Sequence, residues 1–297
     1  MREADQVEAE RMVLRSLNHL RKQANLTPIK LRITQPGPML LHFLRSDPEG
    51  HFVAVNDKGK IVGYASSIVR EFEWYLAMLF VMPSYQTAGV GRKLLERTMM
   101  YGEKAGCTRW ALATFSYNPQ AIAVYSKRGM PPQAAVLMLD RKKDPKAALS
   151  LRPTVRLTAT EATDEKSVEK LSKLDRKVRG MARPEEHFFW LNTDGYKVFE
   201  YRDGRKLAGY AMMSKSGLIG PVAATKPEYL ESILVQSLKS DVFQDIKNHR
   251  IVNLGEQKEI LMTLLGAGFR ISETLLVMAS ERFSDPTRYI PGTLAHY

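Results

Sequence analysis

Six consecutive residues, Gln86-Thr87-Ala88-Gly89-Val90-Gly91, lie between an apolar run (Tyr75 to Met82) and an amphipathic one that begins at Arg92. Glycines two positions apart admit backbone angles that a side chain forbids, so successive N–H groups can turn toward one anion. A helix starting directly behind them adds its unpaired N-terminal donors and the positive end of its dipole. The chemistry expected of this loop is therefore the grip of main chain on a pyrophosphate. Two common phosphate loops do not fit. A P-loop needs Gly-Lys-Ser/Thr, and a dinucleotide loop needs a third glycine with an acidic residue about 20 positions on.

A second group lies downstream, in Asn118-Pro119-Gln120-Ala121-Ile122-Ala123-Val124-Tyr125-Ser126-Lys127-Arg128-Gly129-Met130. Asn118 suits an N-cap, Pro119 the first helical position and Gly129 the left-handed residue after the last turn, so the spacing predicts a short helix. Asn118 and Tyr125 are two turns apart and face the same side. Both can reach one ligand.

The pattern Gln/Arg-x-x-Gly-x-Gly behind a strand carrying Val-x-Pro, here Val81-Met82-Pro83, resembles the acetyl-CoA loop of the GNAT superfamily of N-acetyltransferases. The segment from Asn118 resembles that superfamily's Asn-x-x-Ala-x-x-x-Tyr-x-x-x-Gly-Phe signature, with Met130 in place of the aromatic. The resemblance implies direct transfer of an acetyl group from acetyl-CoA to a primary amine, on a small molecule or a protein. It places the main chain of Gln86, Thr87, Ala88, Gly89, Val90, Gly91 and Arg92 on the pyrophosphate. It sets the main-chain groups around Phe80 and Val81 along the pantetheine as an added strand. Asn118 would bond the pantetheine or order its helix, and Tyr125 would protonate the departing thiolate, a phenol being able to give that proton while itself uncharged. In the histone-type branch a glutamate sits early on the strand, where this chain has Tyr75; Glu73, with Glu71 beside it, is the substitute expected as general base.

Composition narrows the alternatives. The 297 residues, 44% hydrophobic and 26% charged, describe a folded chain long enough for two domains. Tyr75 to Met82 is far shorter than the roughly 18 apolar residues of a membrane helix, and Glu3, Asp5, Glu8 and Glu10 stand where a signal peptide would be basic. A cytoplasmic location and no membrane are expected. One cysteine, Cys107, excludes an internal disulfide, and the six histidines show no metal-ligand spacing, so no metal is expected. Of the net charge of +12, +9 falls in residues 1–150, the half holding the loop, where a polyanionic cofactor is attracted. Such a surface also suits nucleic acid, though no recognition motif accompanies it. The alternative to an enzyme is a non-catalytic acyl-CoA sensor or a basic adaptor for nucleic acid or ribosome.

The chain also repeats. His51 to Ala65 matches Lys197 to Ala211 as strand, polar turn, strand. Arg152 to Thr160 reads as a strand opening the second copy, and Asp164 to Val178 as a helix with Val168, Leu171, Leu174 and Val178 on one face. Ala135 to Asp140 is echoed by Leu275 to Ala279. The expected fold class is α/β (α+β), two tandem GNAT-like domains, each a mixed, mostly antiparallel twisted sheet flanked by helices. The expected division is a catalytic domain at 1–142, a linker at 143–152, a degenerate copy at 153–283 and a tail at 284–297. Where the first copy has its glycines the second reads Ala224-Thr225-Lys226-Pro227-Glu228, whose carboxylate repels phosphate, so no CoA is expected there. Its expected uses are to complete the acceptor cleft, with Leu31 to Leu44, Ala182 to Leu191 and the tail from Tyr289 contributing, or to form a homo-oligomer interface.

Overall fold

The computed structural model describes residues 1–142 (Thr87 by its backbone), 151–243, 245–282 and 284–294. The linker expected at 143–152 thus lies outside the described residues save for its last two. The first half runs α1 (Gln6–Gln23), α2 (Pro38–Ser46), β1 (His51–Val55), β2 (Ile61–Arg70), β3 (Glu73–Val81), α3 (Val90–Lys104), β4 (Arg109–Phe115), α4 (Pro119–Ser126) and β5 (Pro132–Lys142). The second repeats the order with β6 (Thr158–Glu161), α5 (Glu165–Arg179), α6 (Pro184–Asn192), β7 (Tyr196–Asp203), β8 (Lys206–Ser214), β9 (Ile219–Ala224), α7 (Pro227–Leu238), β10 (Asn248–Leu254), α8 (Lys258–Gly266), β11 (Arg270–Ala279) and β12 (Tyr289–Ile290).

Local chemistry explains most boundaries. The β1–β2 hairpin closes because Asn56 Oδ1 accepts from the N–H groups of Lys58 and Lys60 while Gly59 takes φ +72°. Asp164 caps α5 by accepting from Ser167 N at 2.8 Å, and Gly180 ends it with φ +86°. The strand expected over Arg152–Thr160 is confined to Thr158–Glu161. Pro153 offers no N–H, and the N–H groups of Val155 and Leu157 go to side chains of α7, Ser232 Oγ and Gln236 Oε1, rather than to a ladder.

The strands form a seven-stranded sheet, β1-β2-β3-β4-β11-β5-β10, and a five-stranded one, β12-β9-β8-β7-β6. The first is mixed, with β3 and β4 parallel; the second is antiparallel throughout. Each half gives its last long strand to the other. β11, from the second half, is inserted between β4 and β5, and β5 in turn lies between β11 and β10. One apolar cluster accordingly spans both halves, joining Phe43, Tyr75, Ala111 and Val136 to Trp190, Val198, Tyr210 and Val277.

Buried charge is gathered where the halves meet. Arg70 bonds Asp47 at 2.8 Å and, from the other half, Glu186 at 2.9 Å. Within the second half Asp175 takes hydrogen bonds from Arg183 Nε at 2.6 Å and the Tyr210 hydroxyl at 2.5 Å, with His187 Nε2 at 2.8 Å. Against the cost of its burial, Arg183 and His187 hold the Asp175 carboxyl well below the ordinary carboxylate range.

His51 opens β1 and is buried, its ring nitrogens facing the hydroxyls of Tyr64 at 3.2 Å and Ser66 at 3.3 Å. Burial lowers its pKa from 6.5 to about 4, Asp47 opposing the change. Above the unfolded value both states are neutral and the contribution is complete; as pH falls toward 4 the unfolded chain takes a proton that the folded one refuses. Stability should therefore drop by about 2 to 3 kcal/mol between neutral pH and about pH 4.5, a tenfold change in proton affinity being worth about 1.36 kcal/mol. Urea unfolding at the two pH values checks this, with a smaller drop in His51→Asn.

Candidate active site

The site begins with a fork in the large sheet. β3 and β4 pair only over Glu73–Leu76 and Arg109–Leu112. Beyond that β4 stays in the sheet by pairing with β11 through Phe115, whereas Ala77 to Val81 have no strand beside them on that side among the described residues. The ladder to β2 sets which backbone groups face the opening. Met82 N–H donates to Val62 O at 2.8 Å, so by the two-residue period of an antiparallel pair Phe80 also bonds back to β2. Leu79 and Val81 therefore turn their groups into the fork, and Phe80 turns its own away. Leu79 is a residue that the sequence reading did not single out.

At the mouth of the fork a short 3-10 segment, Pro83–Ala88, leads to Gly89 at φ +75°, which opens α3. Gln86 Nε2 bonds Val81 O at 3.1 Å and ties this turn to the strand end, and Asn56 Nδ2 bonds the Tyr85 hydroxyl at 3.1 Å. No side chain caps α3, so its first N–H groups, including those of Gly91 and Arg92, have neither a cap nor an intrahelical acceptor. Nothing lies within 4 Å of where a Gly89 Cβ would stand. The space is open, basic on its Arg92 and Lys93 side, and shaped to take an anion on main-chain donors. The Thr87 side chain lies outside the described residues.

Behind the fork, α4 forms as its residues dictate. Asn118 Oδ1 accepts from Ala121 N at 3.2 Å, and Gly129 takes φ +79°. Asn118 thus spends its carbonyl on the helix. Tyr125 is buried in one cluster with Leu76 and Leu112, the last paired residues before the strands part, and with Met278 from β11. Burial raises its pKa well above the ordinary phenol value, Arg128 opposing only weakly, so the hydroxyl keeps its proton.

Glu73 lies at the other end of β3, on the order of 25 Å from Val81 at the strand rise. Its carboxylate accepts from Arg109 Nε at 2.8 Å and lies 4.0 Å from Arg179 of the second half. Burial raises its pKa, with the arginines opposing. Glu71, in the turn at φ +52°, pairs with Arg176. Neither carboxylate is brought to the loop.

Other groups gather where β4 ends. Ser116 Oγ lies 2.6 Å from Thr274 Oγ1 of β11, the neighbouring Glu273 pairs with Arg21 of α1, and the Tyr117 hydroxyl is buried with its ring 5.2 Å from that of Phe115. Tyr75, where the resemblance sets a glutamate in other chains, donates its hydroxyl to Leu294 O at 2.8 Å. His42 of α2 stacks on Phe189 of α6 at 4.5 Å, which joins the two segments expected to wall an acceptor. Trp190 is core, and Phe188 is half exposed. The adjacency of Tyr117 to Asn118 was a signal in the sequence; Glu273 and Leu294 reach this region only through the tertiary fold.

The second copy answers the first group for group. Thr225 N–H donates to Ala208 O at 2.7 Å, as Met82 does to Val62, which makes Ala224 the counterpart of Val81. Yet Ala224 N–H donates to Arg288 O at 2.8 Å, and Val222 pairs with Ile290 of β12. The edge that is open on β3 is covered on β9 by the chain's own tail. That tail, expected from Tyr289 to Tyr297, is buried over its first residues and described to Leu294; residues 295–297 lie outside the described residues.

A strand that parts from its parallel neighbour before a helix entered through glycine, followed by a second run of the same element order, is the arrangement of a tandem GNAT fold. Residues 17–130 match the acetyltransferase (GNAT) family. Over the whole chain the fold is similar to an acetyltransferase-type protein of Pyrococcus horikoshii, at TM-score 0.75 and 16% identity, covering 100% of this chain and 94% of that one. A GCN5-related N-acetyltransferase from Sphaerobacter thermophilus superposes at 0.67 with 11% identity over 97% and 96% of the two chains. A tandem GNAT protein from the clavulanic acid biosynthesis pathway does so at 0.58 with 16% identity over 95% and 97%. In sequence, mouse thialysine N-epsilon-acetyltransferase is 28% identical over 74 residues, 23% of this chain; the match spans less than half, 44%, of that relative's length. Residues 17–130 are thus similar to the GNAT family, and the chain as a whole carries the tandem GNAT fold. No helix among the described residues is long and apolar enough to cross a membrane.

Gly89→Glu separates the loop's fold from its use. With no neighbour to clash, the strain of a left-handed side chain should cost about 1 to 2 kcal/mol. The added carboxylate should weaken CoA binding by more than about tenfold, some 1.4 kcal/mol, when titrated calorimetrically.

Proposed function

We propose that this protein is an acetyl-CoA-dependent N-acetyltransferase whose active site lies in residues 1–142, with 153–283 a degenerate copy and 284–297 a tail whose Arg288 to Ile290 seal it. The observation that carries this reading is the parting of β3 from β4 directly before an uncapped helix entered through Gly89. Acetyl-CoA supplies an acetyl group activated as a thioester. The amides from Gln86 to Arg92 hold its pyrophosphate, and the main-chain groups of Leu79 with the N–H of Val81 pair with the pantetheine amides. The reacting carbonyl is thereby laid at the fork near Leu76 and Leu112, beside Tyr125.

There a neutral primary amine attacks, an N–C bond forms and the C–S bond breaks. The Tyr125 hydroxyl, kept protonated in its buried setting, gives its proton to the leaving sulfur and regains one from water. Glu73, enclosed by Arg109 and Arg179, acts as a strut between the halves, and the proton of the attacking amine leaves through water at the mouth. The family match and the thialysine of the mouse relative's name support a primary amine as acceptor.

Two measurements test this. Tyr125→Phe should lower thiol release from acetyl-CoA by about a hundredfold, the scale of a general acid, while CoA affinity holds; a non-catalytic sensor would show no turnover in either form. CoA should saturate at one molecule per chain, because the second fork is filled by Arg288 to Ile290.

A further inference from the structure

The segment after α1 is strapped to that helix by its backbone alone. Arg21 Nε bonds Thr27 O, Asn18 pairs with both the N–H and the C=O of Ile29, Arg11 Nε bonds Ile33 O, and Glu10 takes Gly37 N–H. Held in this way, residues 27–33 leave their side chains outside. Apolar Ile29, Leu31 and Ile33 alternate with basic Lys30 and Arg32, and Leu31 is 62% exposed.

Between strap and helix runs an open groove of about 420 Å³, lined by Arg11, Leu14, Arg15, Leu31, Arg32 and Ile33. Among the described residues none of its three arginines has a carboxylate partner. The second copy has a groove at the same place, on α5 and α6, of about 470 Å³. Its basic groups are already paired, Lys173 with Glu169 at 2.5 Å and Arg176 with Glu71. The groove thus comes with the fold, and the uncompensated positive charge belongs to the first copy. The strap also begins near the end of β4, since Arg21, which bonds Thr27 O, pairs with Glu273. Arg15 and Arg21 are six residues apart on α1, about 9 Å of helix.

We propose that this groove docks an acidic polypeptide segment carrying an apolar residue, and that the acceptor is a protein or peptide whose amine is presented to the fork from there. The inference rests on the acetyltransferase reading for its second part only. Arg11, Arg15 and Arg32 meet carboxylates, and Leu14, Leu31 and Ile33 take the apolar side chain. Single-stranded nucleic acid fits less well, since the lining has no aromatic platform for bases and sets exposed leucine against phosphate.

The test uses the full chain without acetyl-CoA and a fluorescent peptide of alternating glutamate and leucine. Arg15→Glu with Arg32→Glu, both exposed positions, should weaken its binding by more than about tenfold, and Leu31→Ser should weaken it several-fold. Unchanged affinity in the double variant overturns the proposal, as does tighter binding of an oligothymidine. With a lysine added to the peptide and acetyl-CoA present, the double variant should raise KM and leave kcat. Peptide binding that depends on the arginines but is followed by no acetylation would overturn the second part of the proposal and leave the docking site standing, whereas absence of thiol release with small primary amines as well would sink the catalytic reading.

Discussion

The exchange of β5 and β11 is the constraint on which the rest of the structure depends. A fork opens only if β4 remains fixed in a sheet after β3 has left it, and the strand that fixes β4 beyond Leu112 is β11, from the far end of the chain. Were β11 absent, β4 would have an unpaired edge and nothing to hold its end where Ser116, Tyr117 and Asn118 project. The second half is therefore part of the site's scaffold even though its own fork is filled.

Charge burial follows from the same exchange. Bringing two duplicated halves face to face encloses Arg70, Arg109, Arg179 and Arg183, and each is matched by carboxylates or by aromatic faces. Such pairs are weak sources of net stability and strong penalties when one partner is lost, so they specify one docking geometry more than they strengthen it. Glu73 belongs to this set. Its place at the start of β3 made it the expected general base by sequence; in the structure Arg109 and Arg179 lie against it.

What the sequence made legible was local. The loop from Gln86 to Gly91, the Asn118 cap, the Gly129 stop and the face of α5 all depend on residues within a turn or two of one another, and they stand where their spacing puts them. The duplicated hairpins were visible for the same reason. Strand exchange was not, because β5 and β11 carry equivalent patterns and either could close its own sheet. Nor was the Tyr75 to Leu294 bond, which joins residues 219 apart. The overlong strand at Arg152–Thr160 failed for a related reason, since alternation reports which side chains are apolar and not which partner takes the N–H groups.

Chain order adds a consequence of its own. On the ribosome β4 and β5 emerge well before residue 270, and until β11 arrives both present bare edges to solvent or to a neighbouring nascent chain. Completion of the first half is thus postponed until nearly all of this sequence has been translated, and a polypeptide released early would hold the glycine loop without the sheet that aims it.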